Sequence, residues 1–325
     1  MLLTEPREAA DWLRARDNYV ILSHRRPDGD TVGCAAALCR ALRAIGKRAA
    51  ILENPQLTDR YAPYFADLTV SAAPADAVPV AVDIATESLL QLNAADLAGK
   101  IALCIDHHES NEFYAGATLV RPHDAACGEV MLQILRELGP VDVPMAEALY
   151  VAISTDCGCF RYSNTTSATL RAAADLQDLG VNTYAINKKL FSTKTAARMR
   201  LEGHLASTME LMADGLVGIC TLSRADLQAF NATEDDVDDI AGFARMVEGV
   251  ELSVMLRELD TGAGKISLRS GGLYNCSEIC RRLGGGGHAA AAGAEVPGGI
   301  EAARAAILAS IREAGIPVQV PGNDA

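Results

Sequence analysis

The chain is predicted to be α/β, with an N-terminal doubly wound parallel sheet and a smaller C-terminal α/β domain. Three observations predict this. The apolar runs Tyr19-Val-Ile-Leu22, Val78-Pro-Val-Ala-Val82 and Ile101 to Ile105 each stop at a polar loop; such runs are strands buried on both faces of a parallel sheet. Between the first two, an Ala-rich stretch from Thr31 to Ile45 is closed by Gly46 and followed by a strand expected over Lys47 to Leu52. That strand, loop, helix, strand order implies parallel pairing. Beyond about residue 205 the pattern changes to strands flanking Asp214-Gly215, a hairpin signal.

In chain order, Thr4 is the expected cap of a first helix, with Pro6 in its first turn and Trp12 and Leu13 on its apolar face. The strand Tyr19–Leu22 runs into Ser23-His-Arg-Arg-Pro-Asp-Gly-Asp30. The third strand ends at Asp83, and the fourth, Lys100 to Ile105, ends at Asp106, with Asn111 in the loop beyond. Helices are expected over Gly128–Leu138, Met145–Ser154, Thr165–Leu179 and Thr183–Leu190, with Thr155-Asp-Cys-Gly-Cys-Phe-Arg161 interrupting the pattern. The polar break Ser192-Thr-Lys-Thr195 marks the end of the first domain. The expected division is a catalytic domain over 1–190, a linker helix over 191–204 and a substrate-binding domain over 205–325, with the cleft between them. In the last, strands are expected at Met209–Met212, Leu216–Thr221, Val250–Leu259 and Lys265–Arg269. Helices are expected near Val237–Val247, Ser277–Leu283 and Ile300–Glu313. The tail Pro321–Ala325 is expected to fray.

A chain of 325 residues, half of them hydrophobic, is long enough for two cores. With 29 Lys and Arg against 42 Asp and Glu, the net charge is −13. That argues against a broad basic surface for long duplex nucleic acid, but not against a short anionic substrate held by a few arginines and metal ions. The nine cysteines form no paired framework. Cys34, Cys39 and Cys104 fit as small buried hydrophobes, and Cys157-Gly-Cys159 and Cys276-x-x-x-Cys280 lack zinc spacing. The N-terminus has no secretory pattern and no apolar run is long enough to span a bilayer, so no membrane association and a reducing cytoplasm are expected.

Four polar clusters stand out: His24-x-x-x-Asp28-x-Asp30, Asp83, Asp106-His107-His108 and Asp156. Strand ends of a parallel sheet share one edge, so these side chains can converge, and Pro27 and Gly29 suit a tight turn aiming Asp28 and Asp30 into one cavity. Taken singly, each cluster is a solvated turn or a helix cap. Taken together they point to two divalent ions, which about 3.5–4 Å apart need several anionic ligands and one bridge. Mixed carboxylate and imidazole suits manganese, with magnesium, cobalt or zinc as alternatives. The implied chemistry is in-line hydrolysis of a phosphoester. A second signal is Gly284-Gly-Gly-Gly-His288-Ala-Ala-Ala-Ala-Gly293, whose glycines let a ligand approach backbone N–H groups, with a helix expected to start near His288.

The four clusters, in this order and spacing, resemble the DHH phosphoesterase superfamily over about residues 18–190. The resemblance implies that His24, Asp28 and Asp83 hold one metal, that Asp30, Asp83, His107 and Asp156 hold the other, and that Asp83 bridges. It implies that His108 faces the scissile phosphate and that Asp106 orients an imidazole. Arg25-Arg26 fills a place that is often uncharged and is assigned, with Asn111, to substrate; Cys157 stands where Thr often follows the Asp. The glycine stretch resembles the signature of the DHH-associated C-terminal domain, and Ser267-Leu-Arg269-Ser270 its arginine strand. By that likeness Arg269, Gly285, Gly286, Gly287 and His288 bind the far phosphate or base.

Within the superfamily the arrangement resembles the nanoRNase and 3′-phosphoadenosine 5′-phosphate (pAp) phosphatase group. It implies a cytoplasmic manganese enzyme acting on short single-stranded RNA, on dinucleotides such as pApA or pGpG, and on small phosphorylated nucleotides. Cyclic di-AMP is the nearer alternative; its membrane-bound hydrolases carry N-terminal segments not seen here. A manganese pyrophosphatase would need another C-terminal domain, a processive exonuclease an extra nucleic-acid module, and a non-catalytic nucleotide sensor would have no need of every ligand. Monomer and homodimer both stay open.

Overall fold

The computed structural model describes residues 1–237 and 239–318; the tail expected to fray lies outside them. The chain divides into two compact units, Met1–Thr193 and a second from Lys194 onward.

Among the described residues the first unit has strands β1 (Leu2–Leu3), β2 (Tyr19–Leu22), β3 (Ala49–Leu52), β4 (Thr69–Val70), β5 (Val78–Val82), β6 (Leu103–Asp106) and β7 (Ala117–Val120). Its helices are α1 (Pro6–Arg14), α2 (Gly29–Ala44), α3 (Ala62–Phe65), α4 (Cys127–Leu138), α5 (Val143–Asp156), α6 (Ser167–Asp178) and α7 (Thr183–Asn187). The sheet order is β1-β7-β6-β5-β2-β3-β4, and every pairing is parallel. The chain moves outward from β2 to β4, returns to β5 on the other side of β2, and moves outward again. The topological switch point, where open α/β sheets bind ligands, therefore lies between β2 and β5.

Right-handed crossovers running in opposite directions must pass on opposite faces. α2 covers one face between β2 and β3; the 3₁₀ turns Glu87–Leu89 and Leu92–Leu97 lie between β5 and β6. The strand period of two confirms the sandwiching. Tyr19 and Ile21 join the helix-side core, while Val20 and Leu22 join the core that contains Leu90 and Ala94.

α2 is apolar nearly all round, as a helix enclosed by others must be, and packs against α4 and α5. Small residues let it approach closely. A methyl at Gly33 would lie 2.8 Å from the Ala152 Cβ and one at Gly29 2.8 Å from the Thr155 Cβ; between α4 and α5, one at Gly128 would lie 2.7 Å from the Ala152 Cβ. α2 begins at Gly29, not at Thr31 as the Ala-rich pattern implied, because the Asp28 carboxylate caps it, accepting from the N–H groups of Asp30 (3.0 Å) and Thr31 (3.2 Å). The cap of α1 is Glu5, not Thr4, whose hydroxyl instead donates to Glu8.

The second unit contains α8 (Ala196–Thr208), β8 (Glu210–Met212), β9 (Val217–Leu222), α9 (Arg224–Ala229), β10 (Leu252–Glu258), β11 (Gly264–Ser270), α10 (Cys276–Arg281), β12 (Gly286–Gly287), β13 (Ala291–Val296) and α11 (Gly299–Glu313). Sheet order is β12-β13-β11-β10-β9-β8, with β9 and β10 parallel and the other pairs antiparallel. α10 and α11 supply one core. α8 and a 3₁₀ turn, Ile240–Met246, supply the other. The linker helix expected over 191–204 is corrected: the unit boundary falls after Thr193, and α8, capped by Thr195, buries Leu201 and Leu205 in the second unit.

The helix expected at His288 is also corrected. Ala291–Val296 is a strand paired to β11 from Arg269↔Ala291 to Gly264↔Val296, and Gly286–Gly287 folds back on it. Sheet pairing overrides the helix propensity of alanine here. Among the described residues no helix is long and apolar enough to cross a membrane, and the nine cysteines are free, eight of them buried. Gly203 lies exposed inside α8 with open space where a Cβ would go. Gly203→Ala is therefore expected to stabilise the protein by about 0.5–1 kcal/mol, read as a higher urea midpoint with unchanged slope.

Candidate dinuclear metal site

Two strands end on either side of the switch point, and each delivers site residues. His24 follows β2, and its backbone bridges Leu90. A buried polar network holds this loop: Asn54 Nδ2 donates to Ser23 Oγ and to the His24 carbonyl, both at 2.9 Å, and Gln91 Oε1 accepts from Ser23 N–H at 3.2 Å. Asp83 follows β5 with φ 59°, a left-handed conformation that a non-glycine residue keeps only when its surroundings enforce it. Thr31 links the two loops, its hydroxyl donating to the Val82 carbonyl at 2.9 Å.

Asp106 ends β6, and His107 and His108 follow; Asp156 is the last residue of α5 rather than part of a loop. The close α2–α5 packing sets Gly29, between the two aspartates of the first cluster, against Thr155, next to Asp156.

The side chains converge. Donor atoms of His24, Asp28 and Asp83 lie within 4.8 Å of one another, as do those of Asp30, His107 and Asp156. Asp83 stands between the groups, with Oδ2 3.7 Å from His24 Nε2 and Oδ1 3.6 Å from His107 Nε2. His24 Nε2 is 3.4 Å from Asp28 Oδ1. His107 Nε2 is 3.8 Å from Asp30 Oδ2 and 3.7 Å from Asp156 Oδ2.

Three features fit this set to divalent cations. First, both imidazoles are fixed in the ligating tautomer. A carbonyl can only accept, so His24 Nδ1–H donates to the Arg25 carbonyl at 2.8 Å and His107 Nδ1–H to the Asp124 carbonyl at 3.1 Å. Both Nε2 lone pairs then point at the carboxylates. Second, Asp83 Oδ1 is buried without a hydrogen-bond donor, and the residue is 3% exposed; such an atom is costly without a partner. Third, the carboxylates crowd one another. Burial pushes Asp30 well above the usual carboxylate range, with Asp156 and Asp28 adding to it, and burial with Asp30 and Asp28 does the same to Asp83. A divalent cation would remove both penalties and accept the two imidazole lone pairs.

Asp106 and His108 form a separate pair. His108 Nδ1 bonds Asp106 Oδ1 at 2.7 Å, an arrangement that does not use Nε2. That bond raises the affinity of His108 for its proton. Burial would raise Asp106, but its bonds from His108, Asn111 and the His107 N–H outweigh burial and hold it below the ordinary range.

Asn111, expected at the substrate, is turned inward instead. It is 6% exposed, and Nδ2 donates to Asp106 Oδ2 at 2.6 Å. Asn111→Ala should leave a buried carboxylate oxygen unsatisfied, lowering kcat about 10–100-fold with little change in KM, as steady-state kinetics would measure. Arg25 and Arg26 are exposed at the surface, their backbone N–H groups donating to the Leu89 carbonyl (2.8 Å) and Gln56 Oε1 (3.3 Å).

The second unit holds Arg269 on β11 and His288, exposed, on the β12–β13 hairpin. The N–H groups of Gly284, Gly285 and His288 are engaged by the carbonyls of Arg281 (3.1 Å), Cys280 (3.0 Å) and Ala291 (2.7 Å). Gly285 and Gly287 allow close strand approach, and these three N–H groups are not open to the ligand expected there. A methyl at Gly285 would lie 2.7 Å from the Ala294 Cβ.

Several contributors carry no sequence signal. The Asp30 carboxylate accepts from the first N–H groups of α4, Cys127 at 2.7 Å and Gly128 at 2.9 Å. Asp124 acts through its backbone carbonyl, and Asn54 and Gln91 act from loops distant in sequence.

Family models match segments of both units. The model of the DHH family, N-terminal domain, matches residues 18–153, and that of the DHHA1 domain matches residues 219–314. A bifunctional oligoribonuclease and PAP phosphatase NrnA of Thermus thermophilus is 34% identical over 312 residues, covering 94% of this chain and 93% of that protein. Its namesake in Bacillus subtilis is 24% identical over 303 residues, covering 91% and 94%. A cyclic-di-AMP phosphodiesterase GdpP of Geobacillus thermodenitrificans is 26% identical, but the match spans 86% of this chain and 45% of that protein. The solved structure of an exopolyphosphatase-related protein from Bacteroides fragilis shares the fold, with a TM-score of 0.82 at 24% identity and 95% coverage of both chains.

Proposed function

Because the chain belongs to the DHH family, we propose that it is a divalent-metal phosphoesterase that hydrolyses short oligoribonucleotides and dinucleotides to mononucleotides and removes the 3′-phosphate of pAp. The observation that carries the reading is the bridging position of Asp83 between the His24–Asp28 and His107–Asp30–Asp156 groups. In this reading His24, Asp28 and Asp83 hold one ion and Asp30, Asp83, His107 and Asp156 the other, with manganese the native metal. Bound ions supply Lewis acidity and an activated water for in-line displacement at phosphorus. The protein's own part is positioning. His108, steered by Asp106, donates from Nε2 to the scissile phosphate, and Asn111 holds Asp106 in place. Arg269 and His288, and separately Arg25 and Arg26, are assigned to substrate binding in this reading. The net charge of −13 favours a short ligand gripped by these few cations, and a cytoplasmic location suits such a substrate.

The test is a panel of pApA, pGpG, longer oligoribonucleotides, cyclic di-AMP, pAp and pyrophosphate, each with manganese. Mononucleotides released fastest from linear dimers are expected. Faster turnover of cyclic di-AMP would transfer the activity to that substrate. Tight binding of any of them without turnover would make the chain a sensor.

A further inference from the structure

The orientation of the His24 imidazole depends on one peptide unit, the one joining Arg25 to Arg26. Its carbonyl accepts from His24 Nδ1–H at 2.8 Å, and its N–H donates to Gln56 Oε1 at 3.3 Å. Turning that unit over would withdraw the carbonyl and release both the tautomer and the plane of the ring. Arg26 lies at φ 51°, a left-handed conformation that a non-glycine residue keeps only where its surroundings hold it. On the other side of the loop the Arg25 N–H is tied to the Leu89 carbonyl at 2.8 Å.

Gln56 is itself held. Its backbone N–H donates to Asn54 Oδ1 at 3.0 Å. Asn54 Nδ2 in turn donates to Ser23 Oγ and to the His24 carbonyl, both at 2.9 Å. Ser23 Oγ donates to Gln91 Oε1 at 3.2 Å, and Gln91 Nε2 donates to the Glu53 carbonyl at 2.8 Å, next to Asn54. Asn54 is 7% and Gln91 1% exposed. Buried carboxamides are costly unless paired, and a fully paired network rigidifies what it encloses. Here three amide side chains from two separate segments enclose the backbone of residues 23–26. The other imidazole is oriented by different means, through the Asp124 carbonyl at 3.1 Å from His107 Nδ1. The clamp therefore bears on one half of the cage.

We propose that Asn54, Gln56 and Gln91 are positioning residues for His24, and that loosening them weakens the ion assigned to His24, Asp28 and Asp83 while sparing the one beside His107 and Asp156. The inference rests on reading the cluster as a two-metal site and is independent of which phosphoester is cleaved.

The experiment titrates the metal-free full chain with manganese in a calorimeter, for the wild type, Gln56→Met, Gln56→Glu and Asn54→Ala. Methionine keeps the length of Gln56 and loses the acceptor; glutamate keeps an acceptor. Gln56 is half-buried and Asn54 borders a cavity of about 470 Å³, so water can reach the gap that either change leaves. Gln56→Met and Asn54→Ala are expected to weaken one of two ions about 10–100-fold, the usual effect of removing a contact that orients a ligand, with the other unchanged. Gln56→Glu should stay near the wild type. Melting of Gln56→Met in chelator should match the wild type, as a purely structural role would not allow. Equal weakening of both ions, or unchanged binding in Gln56→Met, overturns the assignment; an Asn54→Ala chain too unstable to titrate leaves Gln56→Met to decide. A wild-type chain that binds fewer than two ions overturns the two-metal reading and the clamp with it. One that binds two but cleaves no phosphoester overturns the functional reading alone.

Discussion

Asp83→Asn abolishes hydrolysis, by about 10³-fold or more in kcat, because bridged metal chemistry is worth several kcal/mol of transition-state stabilisation. The same substitution should leave the chelator-treated protein as stable as the wild type, or more so. In the absence of metal Asp83 is a buried carboxylate with an unsatisfied oxygen, crowded by Asp30 and Asp28. An amide of the same shape carries no charge into that environment. The two effects are read separately. Activity is assayed with manganese, and thermal melting is followed with and without it. The wild type gains melting temperature on adding manganese, since a ligand bound only to the folded state stabilises it by mass action. The variant loses most of that gain. A variant that melted far below the wild type in chelator would show Asp83 to be structural instead.

Gly33→Val is expected to destabilise the first unit by about 3 kcal/mol or more, beyond the usual cost of overpacking, because a backbone atom stands in the way. The added branch would run into the Ala148 carbonyl as well as Ala152, and neither helix can yield without tilting Asp156 away from Asp28 and Asp30. For a unit of this size such a loss corresponds to roughly 6–12 °C in melting temperature. Metal affinity should fall as well, although Gly33 touches no metal ligand. A calorimetric scan with and without manganese checks both parts; an unchanged midpoint would mean that α2 and α5 are not in contact as described.

The strand-end clusters were legible because each ligand sits where an apolar run stops, and a parallel sheet brings such ends to one edge. The same reasoning placed β2, β5 and β6 within two or three residues of their observed bounds. What escaped was whatever depends on contacts between distant segments. The edge strands β1 and β4 are two residues long, too short for a period to register. Asn111 looked like an exposed loop residue because nothing local announces that Asp106 will be buried beside it. The Ala run after His288 has the composition of a helix, and only its pairing with β11 makes it a strand. The N–H pair at the start of α4 that engages Asp30 comes from residues almost a hundred positions away. The boundary after Thr193 was blurred because α8 is as polar as a linker on its exposed side and shows its core contribution only through Leu201 and Leu205.

The arrangement of His24, Asp28, Asp30, Asp83, His107 and Asp156 as one dinuclear cage is tested most directly by locating manganese in crystals through its anomalous scattering. Two ions per chain are expected, one beside His24 and Asp28, the other beside His107 and Asp156, with Asp83 touching both. A single ion, or ions bound elsewhere in a preparation that still cleaves dinucleotides, would contradict it.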